Sequence, residues 1–347
     1  MDLRRACGCV VLLFAVSVVG PEGRSAPRVL DVRSLVRNVA NFTDADWAAV
    51  ENGAPVAKVL ETDAREVAIA GAVRIAAPRE QLVARLRDVG HLKRSAVVLD
   101  VGRFHRPPAA SDLSNVPFED YSLDLRDCRS GDCRVRLTSA DIESFHHAID
   151  WRSSDWRTRA AAVWRDVLAR HAATYSELGR KGLPVYVNRA DPLNVASELS
   201  VLAGSFAFVA QYSPEFYAYL KEFGPSRPAG TEETLYWSKE DFGIRPVLRI
   251  SHQILFPGTG SGSPVLVATN QVYADHYLDA ALGVTLAVEV LDGSAGRSFY
   301  MVAVNRARTR SLSGMLRRLA RGSVQSRSRE AMRKILSAAK SGLEGGR

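Results

Sequence analysis

The chain has 347 residues, 46% hydrophobic and 24% charged, with 46 Lys and Arg against 38 Asp and Glu for a net charge of +8. This is the composition of a folded globular protein, long enough for one large domain with an insertion or for two domains, and it excludes a disordered or disulfide-dependent chain. The positive charge is concentrated at one end: residues 297–347 hold thirteen Lys or Arg and two acids, a local balance of +11, so the residues before them sum to −3.

Arg4 and Arg5 precede an uncharged, mostly apolar run from Ala6 to Val19, and small and turn residues follow from Gly20 to Ala26. A basic end, a short apolar core and small residues are the layout of a secretory signal peptide. The sequence therefore predicts cleavage between Gly20 and Ala26, with Ser25 the last residue removed, and a secreted, periplasmic protein. The apolar run is shorter than the roughly 20 residues of a spanning helix; an uncleaved anchor is the alternative reading.

Residues 26–63 read as a helical lead-in, with Thr43 capping a helix that carries Trp47 and Val50 and breaks at Asn52-Gly53 and Pro55. A domain is then expected from 64 to 347. In Arg65–Ile75, Val67, Ile69, Val73 and Ile75 alternate with Glu66, Ala68, Ala70 and Arg74, which predicts a strand with one buried face. Pro78 stops it, and Leu82, Leu86 and Val89 mark a helix from Arg79 to about Leu92. A strand at 96–104 and a Pro-rich loop follow. Tyr121–Leu125 and Arg134–Leu137 flank Cys128-Arg129-Ser130-Gly131-Asp132-Cys133, which reads as a hairpin with a cysteine near each base. In an oxidising compartment Cys128 and Cys133 should form a disulfide. From 139 to about 224 the periodicity is helical, an insertion expected to pack on the sheet. Strands return at 247–256, 264–277, 284–291 and 298–304, and two helical pieces, 309–320 and 323–343, end the chain.

Strand, Pro-initiated helix (Val67–Leu92), antiparallel strands and a long C-terminal amphipathic helix form an order that resembles the START-like helix-grip fold, over about 64–138 and 235–343. The resemblance implies an α+β protein with an antiparallel sheet gripped by its last helix, and an apolar ligand held between the two; some members of the group are cyclases or hydrolases. Tyr236–Gly243 and Asn270–Gly283 also resemble segments of secreted bacterial proteins of no assigned activity.

The candidate ligand-binding residues are His252, Asn270, Gln271, Tyr273 and Trp237. His252 shares a strand face with Leu248, Ile250, Ile254 and Phe256, where an imidazole can orient a ligand or shuttle a proton; the alternative is a hydrogen-bonded core histidine. The two faces of strand 264–277 are nearly equally polar, so its inward side is not readable. An enzyme would use His252 with Tyr273 or Asp275. Glu143 with His147, and His146 with Asp150, are spaced as helix-surface pairs. No H-E-x-x-H, G-x-S-x-G or P-loop pattern occurs, and Ser337-Ala338-Ala339-Lys340 matches S-x-x-K by spelling only. No metal and no cofactor is expected. Tyr212, Phe216, Tyr217 and Tyr219, with Phe206 and Phe208, read either as core of the helical block or as a lid.

In the basic tail, Arg310, Leu316, Arg317, Arg318, Leu319 and Arg321 combine arginines with leucines, the pattern of a segment lying on an anionic membrane. The alternative is a solvated face on a helix that packs by its leucines. Secretion removes nucleic acid as a partner. Together these features predict binding or transfer of a lipid or other apolar small molecule, with contact to an anionic membrane surface. The alternatives are a hydrolase or cyclase on an apolar substrate and an envelope protein-interaction module.

Overall fold

The structure, a computed structural model, describes residues 31–90, 97–116, 118, 121–224, 227–241, 245–258, 263–290, 298–310 and 317–345, and of residues 122, 123 and 317–320 the backbone alone. The expected signal peptide lies outside the described residues, as does Leu316.

The lead-in folds into α1 (Val32–Ala40) and α2 (Asp44–Glu51), and Thr43 caps α2 in a reciprocal capping box with Asp46. A short strand that the sequence did not signal follows, β1 (Val56–Val59), pairing with β2 (Glu66–Ile75). The chain continues through α3 (Arg79–Leu86), β3 (Val98–Arg103) and α4 (Ser122–Arg126) into a helical block: α5 (Ser139–Ala148), α6 (Trp156–Leu178), the two-stranded β4 (Val185–Tyr186) and β5 (Leu193–Asn194), α7 (Val195–Gly204) and α8 (Pro214–Glu222). Strands β6 (Glu232–Glu240), β7 (Val247–Phe256), β8 (Val265–Ala274), β9 (Ala280–Glu289) and β10 (Phe299–Arg308) then precede α9 (Arg317–Glu344).

The eight-stranded sheet has the order β1-β2-β10-β9-β8-β7-β6-β3, and every pairing is antiparallel. The protein is thus a mixed α and β fold around one large antiparallel sheet with a C-terminal helix. Because β10 returns beside β2, the last strand delivers α9 onto the strand that opened the sheet. Both faces are covered. On one, Leu248, Ile250, Ile254, Leu266, Leu282, Val284 and Val302 meet α1 and the helical block in the main core. On the other, Val67, Ile69, Val73, Ile75, Val265, Val267 and Met301 meet Leu82 and Val83 of α3 and Met332, Leu336 and Leu343 of α9 in a separate apolar cluster. Strand β2 is therefore buried on both faces rather than one: its alanines pack under the helical block and its branched residues under α9.

α9 runs along β2 in the same direction. Arg321 donates to the Thr62 hydroxyl and the Glu66 carbonyl, Lys340 to the Arg74 carbonyl, and Glu344 accepts from the Ala76 amide. Gly71 lets the helix approach: a Cβ there would lie 2.7 Å from Leu336 and 2.8 Å from Met332. One continuous helix spans Gly322, where two pieces were expected, because the apolar contacts carry the chain past that position.

Two further expectations are corrected. Tyr121–Leu125 is not a strand: Tyr121 and Leu125 are four residues apart, so one turn of α4 buries both, with Tyr121 stacked on Trp164. The cysteines still close the turn, Cys128 to Cys133 with Cα atoms 4.5 Å apart. The helix after Pro78 ends at Leu86. No helix among the described residues is long and apolar enough to cross a membrane.

Candidate functional site

His252, Asn270 and Tyr273 lie on the face covered by the helical block, away from α9. His252 pairs across strands with Asn270 and Leu235, in the middle of the sheet. Between β7 and β8 the register slips: Ser251 pairs with Gln271 but Ile250 with Tyr273, leaving Val272 as the extra residue of a β-bulge. The bulge shifts the alternation by one residue. Asn270 and Tyr273, three apart, thus share the inner face, and Gln271 takes the opposite one, donating to the Leu278 carbonyl at 3.2 Å.

α6 closes this face with a stripe at helical spacing, Trp164, Leu168, His171, Ala172 and Tyr175, all buried. Tyr175 reaches His252, its hydroxyl 2.9 Å from Nδ1, and accepts a hydrogen bond from Asn270 Nδ2 at 3.0 Å. The other ring nitrogen, Nε2, lies 3.5 Å from Glu233 Oε1. Glu233 also accepts hydrogen bonds from Tyr219 of α8 and from Arg227, and Arg106 stands 3.4 Å away. Burial raises the Glu233 carboxyl, but hydrogen bonds from His252 and Tyr219 and the charges of His252 and Arg227 outweigh it and hold the group well below the ordinary carboxylate range. Burial pushes the Tyr175 hydroxyl up, with Asn270 opposing; burial and then Glu233 push Tyr219 up. Phe223 meets the His252 ring edge-on from a left-handed backbone, φ 46°, a conformation unusual for a bulky residue.

Tyr273 belongs to a second cluster. Its ring lies about 6 Å from each of Trp164, His171 and Tyr186, and its hydroxyl donates to the Arg136 carbonyl at 3.3 Å. His171 Nε2 is 2.8 Å from Asp141, which caps α5 through Thr138. Burial raises Asp141, but the hydrogen bond and charge of His171, followed by hydrogen bonds from Thr138, bring it down to about 2. The buried Arg136 guanidinium pairs with Asp279 at 2.8 Å. Asp275 and His276 pair with each other at 2.6 Å beyond the end of β8. His252, Tyr273 and Asp275 therefore enter three different sets of partners and form no catalytic constellation. No group of His, Cys, Asp and Glu among the described residues could hold a metal ion.

Trp237 is buried under the turn at Asp112 and donates its indole N–H to the Asp112 carbonyl at 2.8 Å. Phe206, Phe216 and Tyr219 are core of the helical block, not an open lid.

The arginines at the end of β10 face inward. Arg306 pairs with Glu66, Arg308 with Asp63, Glu66 and Glu198, and Arg310 with Asp191 and Asp279. Arg65 joins Glu198 and Asp279 to this network. Burial lowers Arg308, but hydrogen bonds to Asp63 and Glu198 more than reverse it. Arg321 bonds to Thr62 and Glu66, so Arg310 and Arg321 of the expected contact segment both have partners within the protein. The side chains of Arg317, Arg318 and Leu319 lie outside the described residues.

Glu233 and Tyr175 were missed from the sequence, and Tyr219 was read there only as core or lid. The available signal was the α6 stripe, where His171 and Tyr175 bring polar tips onto an otherwise apolar helix face. No protein-family model matches the chain, and no curated protein matches it.

Proposed function

We propose that the protein binds, and passes on, a lipid or other apolar molecule in a secreted, periplasmic setting, and that the ligand enters beneath α9 and α3 rather than beside His252. The observation that carries this reading is the separate apolar cluster on that face. From Val67 to Ile75 and from Phe299 to Ala303, every second residue of β2 and β10 is apolar or glycine, and this floor, continued by Val265 and Val267 of β8, is covered by Leu82 and Val83 of α3 and by Met332, Leu336 and Leu343 of α9. The two covering helices touch through a latch in which Arg85 donates to the Gly342 carbonyl at 2.5 Å. An apolar floor under two helices joined at one end suits a site that opens by lifting a helix. The order strand, helix, antiparallel strands and gripping helix supports a START-like assignment. The signal-peptide layout and the Cys128–Cys133 pair support secretion.

The enzyme reading is less well supported, because Tyr175 and Glu233 already engage both ring nitrogens of His252. Organic extraction of protein purified from its own envelope, followed by mass spectrometry, should yield one apolar species in near-equal amount to protein. Folded protein that repeatedly yields none, and takes up none from lipid vesicles, contradicts the proposal.

A further inference from the structure

The basic tail divides into two populations. Arg306, Arg308, Arg310 and Arg321 are spent on internal carboxylates, carbonyls and a hydroxyl. Lys340 pairs with Glu344. Farther along α9, Arg327, Arg329, Arg333 and Lys334 are exposed, and among the described residues none has a carboxylate within ion-pair distance. Glu330 is the only acid on this stretch, so the outer side of the helix carries a net +3.

A further observation marks this face. Beside the cations, an open groove of about 510 Å³ is lined by Arg333, Lys334, Ser337, Ser341, Glu330 and Pro55. Two cations and two hydroxyls around one concavity offer charge and hydrogen-bond donors to the oxygens of a phosphate group.

We infer that the outer face of α9 docks on an anionic phospholipid surface, with a lipid phosphate seated in the groove beside Arg333 and Lys334. Charge complementarity selects this occupant: four exposed cations against one acid on a single helix match the phosphates of an anionic lipid surface. The inference deepens the carrier reading, because the helix that would lift from the apolar cluster is the helix that meets the membrane.

The test is sedimentation of the full mature chain with vesicles of phosphatidylcholine containing phosphatidylglycerol, and with vesicles of phosphatidylcholine alone. Binding is expected to the anionic vesicles only and to weaken with added salt. Arg333→Glu with Lys334→Glu should reduce it by about 100-fold or more, since each cation near such a surface contributes about fivefold. Arg152→Glu, an exposed change on the helical block, should leave it intact. Equal binding to both vesicle types, or equal loss in the Arg152 variant, overturns the inference. Saturable binding of inorganic phosphate that is lost in the Arg333/Lys334 variant, with no binding to either vesicle, assigns the groove to a free anion and also overturns it. The extractable apolar species should remain in the Arg333/Lys334 variant, so failure of docking and failure of ligand carriage are read separately.

Discussion

Tyr175 holds one ring nitrogen of His252 and Glu233 the other, and Asn270 completes the hydroxyl's partners. Such a chain of buried, hydrogen-bonded groups fixes the helical block to the sheet, because removing any member strands another without a partner. Asp141 does the same between α5 and α6. Both carboxyls sit lower in the folded protein than in the unfolded chain. Their contributions are fully present above the ordinary carboxylate range and are lost as acid protonates them. For Asp141, held at about 2, the loss falls between about pH 4 and pH 2 and amounts to on the order of 2 kcal/mol. Urea denaturation across this range should show stability falling with pH, and Asp141→Asn should flatten part of that slope. An unchanged slope in the variant contradicts the role given to this pair.

At the scale of elements, α9 depends on its approach to β2. Gly71→Val would place methyl groups where Leu336 and Met332 now lie, and the resulting overpacking should cost about 1–3 kcal/mol. Amide exchange in α9 should then accelerate more than exchange in α6; equal change in both would mean that the helix is not held at this point. The strand patterns of β2, β7 and the later hairpins were legible because alternation of apolar residues survives wherever a strand stays regular. The inward side of β8 was not, because the bulge at Val272 reverses the alternation and no residue type announces it. α4 was misread for a related reason: Tyr121 and Leu125 satisfy the helical spacing, and only packing against Trp164 chooses it.

At the scale of the molecule, the sheet separates two interiors of different character. The face toward the helical block holds the buried polar networks, and at its edge Arg65, Arg136, Arg306, Arg308 and Arg310 interlock with Asp63, Glu66, Asp191, Glu198 and Asp279. That network absorbs three of the thirteen cations that make the tail conspicuous in the sequence. Its pairing was hidden because its acids come from residues 63–66, 191–198 and 279, far apart in the sequence. The part of the other face that lies under α9 and α3 is apolar, and α9 carries exposed cations on its outer side.

The central claim is that an apolar molecule lies on this second face. Photo-crosslinking with a diazirine-bearing fatty acid or phospholipid, mapped by peptide mass spectrometry, locates the ligand directly. Labels are predicted on Met301, Val267, Met332 or Leu336, and their yield should fall when unlabelled lipid competes. Labels confined to residues around His252 and Tyr175, or no competable label anywhere, would contradict the account.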